Sequence, residues 1–449
     1  MDSTHAATPE QRATSFDYHE TEEIVQQEPP PKVGPMAALA VPSYRWWFVS
    51  QITSSSGLMT QSVATSWLVL QMTGRGFDLA LLSAATLLPV LCGSAWAGAV
   101  VDHVDRRRLL IATQSSLTVL SGVLFVLIAS GAARYWSIVA ISAAAGCVNA
   151  FDGPARQVYV LDLVGRDRLA GAVSLYEVIL NTSRVVGPSL GGVLLALLGP
   201  SACVLANSVS FLAPIAVLLR YRTRATAAVV DPAEPAQASS ARTRKAKGAA
   251  RAGLRYAWSI PAIRACLLIA AASGILFSPA VLLPLLAVRA FHLGGGGYGA
   301  LLAAFGIGAL PGALLASRGN AEPTGRQVGW LAVGTGLCMA ATAYAPDLPL
   351  AFLAIGATGL TSIWMIARAN TLVQLRSDPA MRGRVMGAWT MALPGMSPIT
   401  SIAVGSLADA AGPRVTFAAA GLLIAGAAVV GWRGLSSSPA PQPKPEPAG

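Results

Sequence analysis

The sequence predicts an all-α integral membrane protein with twelve transmembrane helices in two pseudo-symmetric six-helix bundles, and three observations carry that expectation. Apolar residues make up 54% of the 449-residue chain and charged residues only 12%, whereas soluble globular domains are about a quarter charged. Long runs hold no charge at all, among them 79–101 and 109–130, and each can cross a hydrocarbon layer of ~30 Å as a helix. The chain also repeats itself. Gly98-Ala-Val-Val recurs as Gly312-Ala-Leu-Leu, Ala155-Arg-Gln-Val as Ala369-Asn-Thr-Leu, and Leu198-Gly-Pro-Ser-Ala as Ala411-Gly-Pro-Arg-Val, at offsets of 214, 214 and 213 residues.

Taken in order, residues 1–43 are polar and acidic, with Glu22-Glu23 and Pro29-Pro30-Pro31. They read as a disordered cytoplasmic tail without a cleavable signal peptide. The first bundle, 44–219, opens with Arg45-Trp46-Trp47, since Trp prefers the membrane interface. Its first helix, 44–72, carries Gln51, Thr53, Ser54, Ser55, Ser56, Gln61 and Thr65. One face of it borders a cavity, or else these groups glue helices together. Spans follow at 79–101, 109–130, 135–155, 169–198 and 201–219. A basic cytoplasmic connector, 220–261, holds nine Arg and Lys residues from Arg220 to Arg255. The second bundle, 262–433, holds spans at 262–289, 297–317, 327–345, 348–375, 384–408 and 414–433. The tail 434–449 is again of disordered composition.

Charge orients the chain. Arg106 to Arg108, Arg156, Arg166, Arg168, Arg318, Arg326, Arg376, Arg382, Arg384 and Arg433 fall in or beside turns on one side, while the other side has only Arg75, Arg134, Arg289 and Arg414. Short loops rich in Arg and Lys stay in the cytoplasm, so both termini are expected inside, in a bacterial-type cytoplasmic (inner) membrane. The net charge of +11 is read as topology and contact with anionic lipid, with no nucleic-acid partner. Five scattered cysteines without paired spacing suggest neither zinc nor disulfides. Gly294 to Gly297 lacks the Gly-Lys-Ser/Thr of a phosphate loop. No enzyme activity, cofactor or metal is expected.

Gly98-x-x-x-Asp102-x-x-Asp105-Arg106-Arg107-Arg108 resembles motif A of the major facilitator superfamily. The likeness extends to Phe151-Asp-Gly-Pro-Ala-Arg156-Gln, Arg184-Val-Val-Gly187-Pro188-Ser-Leu-Gly191-Gly192 and Arg382-Gly-Arg384-Val-Met-Gly387. Together these are similar to the drug:proton antiporter group that includes the enterobactin exporter and the macrolide efflux proteins. The resemblance implies the major facilitator fold, with Asp102 as a latch on the N-terminus of helix 11 and Arg106 and Arg384 as its charged company. Asp105 stands where the family has Gly. The second half keeps Gly312 but has Ala316 where an Asp would stand, so the latch is expected to be single-sided. The helix-5 pattern resembles the antiporter motif that seals the membrane. By itself, Gly187-Pro188 should loosen the helix, and Gly187, Gly191 and Gly192 should admit a close neighbour.

Membrane-embedded charge is scarce and therefore informative. Glu177, Asn181 and Arg184 share a helix face at i, i+4 and i+7. Glu177 is a candidate proton carrier and Arg184 its partner or a competitor for substrate; a purely structural pair is the alternative. Asp152, Arg156, Arg368 and Asn370 are further candidates, Arg156 and Asn370 being near-equivalents in the repeat. Trp96, Trp364 and Trp389 lie away from helix ends and either line a site or pack. The expected function is secondary active export of a small hydrophobic or amphiphilic molecule, such as a drug, antibiotic or siderophore, in exchange for protons. Its partners would be that molecule, protons and lipid, and the chain a monomer. An importer on the same fold, or a membrane sensor or scaffold, is the alternative.

Overall fold

The computed structural model of the chain describes residues 35–101, 104–165, 168–221, 254–277, 279–318, 322–378, 381–393 and 395–436. Among these there is no strand. The first half comprises α1 (Pro42–Thr73), α2 (Gly76–Val101), α3 (Arg106–Ala129), α4 (Tyr135–Val164), α5 (Leu169–Leu198), α6 (Pro200–Ser210) and α7 (Leu212–Arg220). The second comprises α8 (Pro261–Ala272), α9 (Pro279–Leu285), α10 (Gly295–Arg318), α11 (Gly325–Ala343), α12 (Leu348–Arg376), α13 (Arg382–Ala392), α14 (Ser397–Ala411), α15 (Pro413–Val430) and the single turn α16 (Trp432–Leu435). Among the described residues, nine stretches are long and apolar enough to cross a membrane. The 32 residues of α1 reach ~48 Å at 1.5 Å per residue, yet are too polar to count among them.

Helix boundaries keep the repeat seen in the sequence. Tyr135 opens α4 and Leu348 opens α12, 213 residues on; Leu169 opens α5 and Arg382 opens α13, again 213 residues on. Three expected spans need correction. Helix α4 runs past 155 to Val164, because the charges of Arg156 and Asp162 are met by side-chain partners and need no turn; Gly165, at φ 75, ends it. The expected span 262–289 is broken into α8, a 3-10 stretch Ser273–Phe277, α9 and a π turn Leu286–Ala290, with Pro279 and Pro284 each withholding a backbone donor. The span 384–408 is interrupted between α13 and α14. There Gly395 N reaches back five residues to Thr390 O at 3.0 Å, and Pro398 sits in the first turn of the restarted helix. Helix α5 keeps the expected span 169–198, 30 residues with Pro188 inside it.

Within each half, α1 packs on α5 and α6, α2 on α4, α10 on α12, and α11 on α15. The halves meet along two seams, α5 against α10 and α2 against α14. A large apolar core crosses between the halves, through Val63, Leu79, Leu285 and Leu301. A smaller one gathers Tyr44, Trp47, Leu110, Tyr159 and Leu218 near the arginine-rich end, with Trp47 and Tyr159 edge to face at 5.2 Å. Outward-facing Leu197, Leu353 and Val430 are each at least 70% exposed, as suits helices whose outer solvent is hydrocarbon.

Candidate functional site

Between the two halves lies a cavity of about 430 Å³, within the range of small-molecule sites. Its walls differ in chemistry. The first half contributes Gln61, Ser62, Thr65 and Ser66 from α1, Ser83 and Thr86 from α2, Ser142 and Asn149 from α4, and Arg184 from α5. The second half contributes Leu276, Leu302, Phe305, Leu310, Ile363 and Ile366, with Ser362 its one polar side chain among the described lining residues. The polar residues of α1 serve both purposes left open by the sequence. Leu58, Gln61, Ser62, Thr65 and Ser66 form the cavity stripe at i, i+3/i+4 and i+7/i+8. Thr60, on another face, donates to Gly187 O at 2.9 Å, and Ser56 meets the Ser183 hydroxyl at 3.4 Å. Gln61 is oriented by its own half, its Oε1 accepting from Ser121 Oγ at 2.9 Å and Asn207 Nδ2 at 2.7 Å.

One end of the cavity is shut by contacts between halves. The first N–H groups of α2 have no partner within their own helix. Gly76 N donates to Asp409 Oδ1 at 2.8 Å and Phe77 N to Asp409 Oδ2 at 2.9 Å. Asp409 belongs to α14, so a carboxylate of the second half caps a helix of the first, where the helix dipole favours negative charge. Arg289 completes the clasp. Its Nη1 lies 3.0 Å from Asp409 Oδ1, and its Nη2 donates to Gly74 O. Bare backbone lets α2 and α14 come this near: a Cβ on Gly76 would stand 2.7 Å from Gly405 O. On the other seam, a Cβ on Gly299 would stand 1.9 Å from Gly192 Cα.

The predicted residues divide accordingly. Gly98 lies in the last turns of α2, and Asp102 lies outside the described residues. Of Arg106 and Arg384, expected beside Asp102, the contacts with described residues are these. Arg106 Nη1 grips both oxygens of Asp162 at 3.0 and 3.1 Å, and Arg384 Nη1 contacts Met381 Sδ at 3.3 Å. Each has a partner within its own half. Arg107 Nε donates to Leu218 O at 2.6 Å, satisfying a carbonyl at the end of α7. Asp105, the departure from the motif, caps α3 by accepting from Arg108 N at 2.9 Å.

Glycines of α5 face different neighbours. Gly187 and Gly191, one turn apart, press on α1 at Met59 and Val63, whereas Gly192, turned ~100° away, presses on α10 at Gly299. Pro188 and Arg184 line the cavity. Glu177 and Asn181 lie on α5, but their side chains fall outside the described residues.

Asp152 and Arg156 come together with partners from other helices. Buried Asp152 accepts from Thr113 Oγ1 at 2.7 Å and Gln114 Nε2 at 2.8 Å, and pairs with Arg156. Arg156 Nη1 reaches Gln51 Oε1 at 2.6 Å. The cluster ties α1, α3 and α4 within the first half. Stripping one member of a buried pair leaves an uncompensated charge. Asp152→Ala is therefore expected to cost about 3 kcal/mol, measured as a lower unfolding midpoint of the purified protein, with Asp152→Asn retaining much of the loss.

Arg368 is buried on α12, and Asn370 accepts from Gln374 Nε2 at 2.8 Å one turn along. Neither lines the cavity among its described residues, nor do Trp364 and Trp389; the Trp96 side chain is outside the described residues. Sequence reasoning missed Asp409 altogether and treated Arg289 as a marker of topology. A signal for Asp409 existed. Gly405-x-x-x-Asp409 repeats the spacing of Gly98-x-x-x-Asp102 at the far end of the partner helix.

Comparison with known proteins agrees with this architecture. The chain is 29% identical over 382 residues to the multidrug efflux pump Tap of Mycolicibacterium fortuitum, covering 83% of this chain and 90% of that one. It is 32% identical over 176 residues to the staphyloferrin A transporter of Staphylococcus aureus, covering 39% and 44%. Among solved structures, a bacterial homologue of the human lysosomal transporter Spinster, inward-facing and occupied, superposes with TM-score 0.65 at 13% identity over 88% of this chain and 97% of that one. A D-xylose–proton symporter does so at 0.64 and 14%, over 86% and 97%. The family model described as a transmembrane secretion effector matches residues 33–438. The chain thus belongs to the transmembrane secretion effector family of the major facilitator superfamily, and it is a multi-span membrane transporter of small molecules rather than an enzyme.

Proposed function

We propose that this transporter exports a small hydrophobic or amphiphilic molecule from the cytoplasm by alternating access, in exchange for protons. The observation that carries the reading is the cavity between halves, shut at the Asp409 end by two backbone seams and a charged clasp. The arginine-rich end is assigned to the cytoplasm on its charge, with twelve crossings and both termini inside. The described state is then closed to the outside, with the arginines of motif A engaged by their own half. In the proposed cycle the Asp409 clasp breaks when its end opens, and Asp102 caps the N-terminus of α13 when the arginine-rich end is shut. The two Gly-x-x-x-Asp elements so alternate, each capping a helix of the opposite half when its own end is shut. Similarity to a multidrug efflux pump supports export.

Glu177 is the proposed proton carrier, since an intramembrane carboxylate is costly unless it is neutralised or paired. Everted vesicles containing the protein are expected to accumulate substrates from a panel of lipophilic dyes and iron chelators, and a protonophore should abolish the accumulation. Accumulation only in right-side-out vesicles would reject the direction, and indifference to the protonophore would reject the coupling. Neutralising Asp102 or Glu177 should reduce efflux at least tenfold with unchanged membrane insertion, scored by immunoblot; full efflux by both variants would refute their roles.

A further inference from the structure

Gln61 lines the cavity from α1, and two polar side chains that do not line it reach Gln61 from other helices. Ser121 of α3 is 4% exposed and Asn207 of α6 is 1% exposed. Polar groups buried this deeply are costly unless they are hydrogen-bonded, and both direct their donors at one atom. Ser121 Oγ donates to Gln61 Oε1 at 2.9 Å and Asn207 Nδ2 at 2.7 Å. Asn207 Nδ2 also donates to Ser121 Oγ at 3.1 Å, so Ser121 passes its own proton on to Gln61. Asn207 turns its Oδ1 the other way, toward Ser210 Oγ at 3.5 Å. Gly57, one turn before Gln61, admits this packing: a Cβ there would stand 2.8 Å from Ser210 Cβ. An amide whose oxygen is held from behind by two donors has its nitrogen on the opposite edge. Among the described residues Gln61 Nε2 has no hydrogen-bond partner, and it is not sealed within the protein. Its two N–H donors are therefore offered to whatever occupies the cavity.

Resting on the export reading, we propose that the cavity recognises amphiphiles by a carbonyl-type acceptor: a ketone, ester, lactone or amide oxygen that accepts from Gln61 Nε2. The apolar body of the molecule lies against Leu276, Phe305, Ile363 and Ile366 of the second half. Gln61 is the specificity-determining residue. Ser121 and Asn207 are positioning residues, which hold the amide and do not touch the substrate. A molecule that enters strips water from the amide N–H groups, and one of the same shape without an acceptor leaves them unpaired. Sites built to hydrogen-bond a substrate discriminate most strongly against such analogues. The asymmetry gives the halves separate tasks, since the polar head is read by the first bundle and the body is held by the second.

Titration calorimetry on the purified full-length protein in lipid nanodiscs, with empty nanodiscs subtracted, tests this with three probes of one skeleton. These are 2-acetylnaphthalene, which carries the acceptor, 2-isopropenylnaphthalene, which has the same shape without it, and 2-naphthol, whose head is mainly a donor. The ketone is expected to bind at least tenfold more tightly than the alkene. Gln61→Leu should bring that ratio below twofold by loss of ketone affinity, with the alkene unchanged or tighter, which also reports that the cavity is intact. Ser121→Ala should lower the ratio at least threefold without weakening the alkene, and Ser121→Thr, which keeps the hydroxyl, should preserve it; a merely structural role would weaken both probes alike. Tighter binding of naphthol than of the ketone would mean that an oxygen faces the cavity, and overturns the proposal. So does equal binding of ketone and alkene, a preference that survives Gln61→Leu, or no ketone binding up to millimolar concentration. A ratio unmoved by Ser121→Ala overturns the positioning role. Should Gln61→Leu fail to fold, the wild-type ranking and Ser121→Ala decide. Because binding needs no transport, the two readings fail separately. Ketone bound with the expected preference but never accumulated by everted vesicles sinks export, and protonophore-sensitive accumulation of dyes without any preference for ketone over alkene sinks recognition through Gln61.

Discussion

Asp409→Ala is expected to open the clasped end of the transporter to the outside. The carboxylate accepts two backbone N–H bonds from α2 and pairs with Arg289, and hydrogen bonds to a charged group contribute about 1.5–3 kcal/mol each when buried. Side chains of Arg289 and Asp409 are 33% and 26% exposed, so solvent screening reduces the total, leaving about 2 kcal/mol in favour of the closed end. Each 1.4 kcal/mol is a factor of ten, hence a shift of roughly 30-fold in the equilibrium between closed and open. A cysteine in place of Ser62, which lines the cavity, reports it through labelling by an impermeant maleimide in right-side-out vesicles. Cys92 and Cys147, both exposed, are replaced by Ser in the parent. Labelling should accelerate tenfold or more with Asp409→Ala. Asp409→Asn, which keeps one acceptor, should fall between, as should Arg289→Gln, which leaves the helix cap in place. A rate within twofold of the parent for Asp409→Ala would mean that the clasp does not hold this end shut.

Why this clasp escaped the sequence is instructive. Long uncharged runs made most helices legible, because a hydrocarbon solvent leaves few other uses for twenty apolar residues. Helix interruptions near 273–290 and 393–396 were not legible, since prolines occur as well within unbroken α2, α5 and α10 at Pro89, Pro188 and Pro311. Asp152 and Arg156 could be paired by their i, i+4 spacing, but Thr113 and Gln114 come from another helix, and nothing local predicts them. Asp409 and Arg289 are 120 residues apart and Asp409 and Gly76 333 apart. Read singly, each is an ordinary charge or glycine at a helix end. What was available was symmetry of a second kind. The repeat relates Gly98 to Gly312, whereas the device on α14 mirrors Gly98-x-x-x-Asp102 across the membrane, and a search for equivalent positions within the repeat passes over it. The cavity was half legible: the hydroxyls and amides of α1 announced a polar wall, while the apolar wall opposite it looks, in sequence, like any other membrane helix.

Gly299→Ala is expected to abolish transport while leaving a folded protein in the membrane. The added Cβ would stand 1.9 Å from Gly192 Cα and 2.8 Å from Gly192 N, below any tolerable separation. The obstacle is backbone, so no rotamer change relieves it, and α5 and α10 must move apart. In a core this would appear as lost stability. In the proposed alternating-access cycle the contact joins the two halves only while this end is closed, so the steric cost falls on one conformation and the protein can escape into the other. Alanine also favours a helix over glycine by roughly 0.5–1 kcal/mol, which offsets any loss within α10 itself. The variant should therefore purify at normal yield, stay open at the Asp409 end, label at the Ser62→Cys position as fast as or faster than Asp409→Ala, and transport at under a tenth of the parental rate. Gly192→Ala, whose Cβ would meet Gly299 Cα at 2.6 Å, should act in the same direction. Gly426→Ala provides the contrast, because a Cβ there meets nothing within 4 Å; transport should remain within twofold of the parent. Parental transport by Gly299→Ala would show that closure at this seam is not required in the cycle, and the alternating-access reading would fall with it.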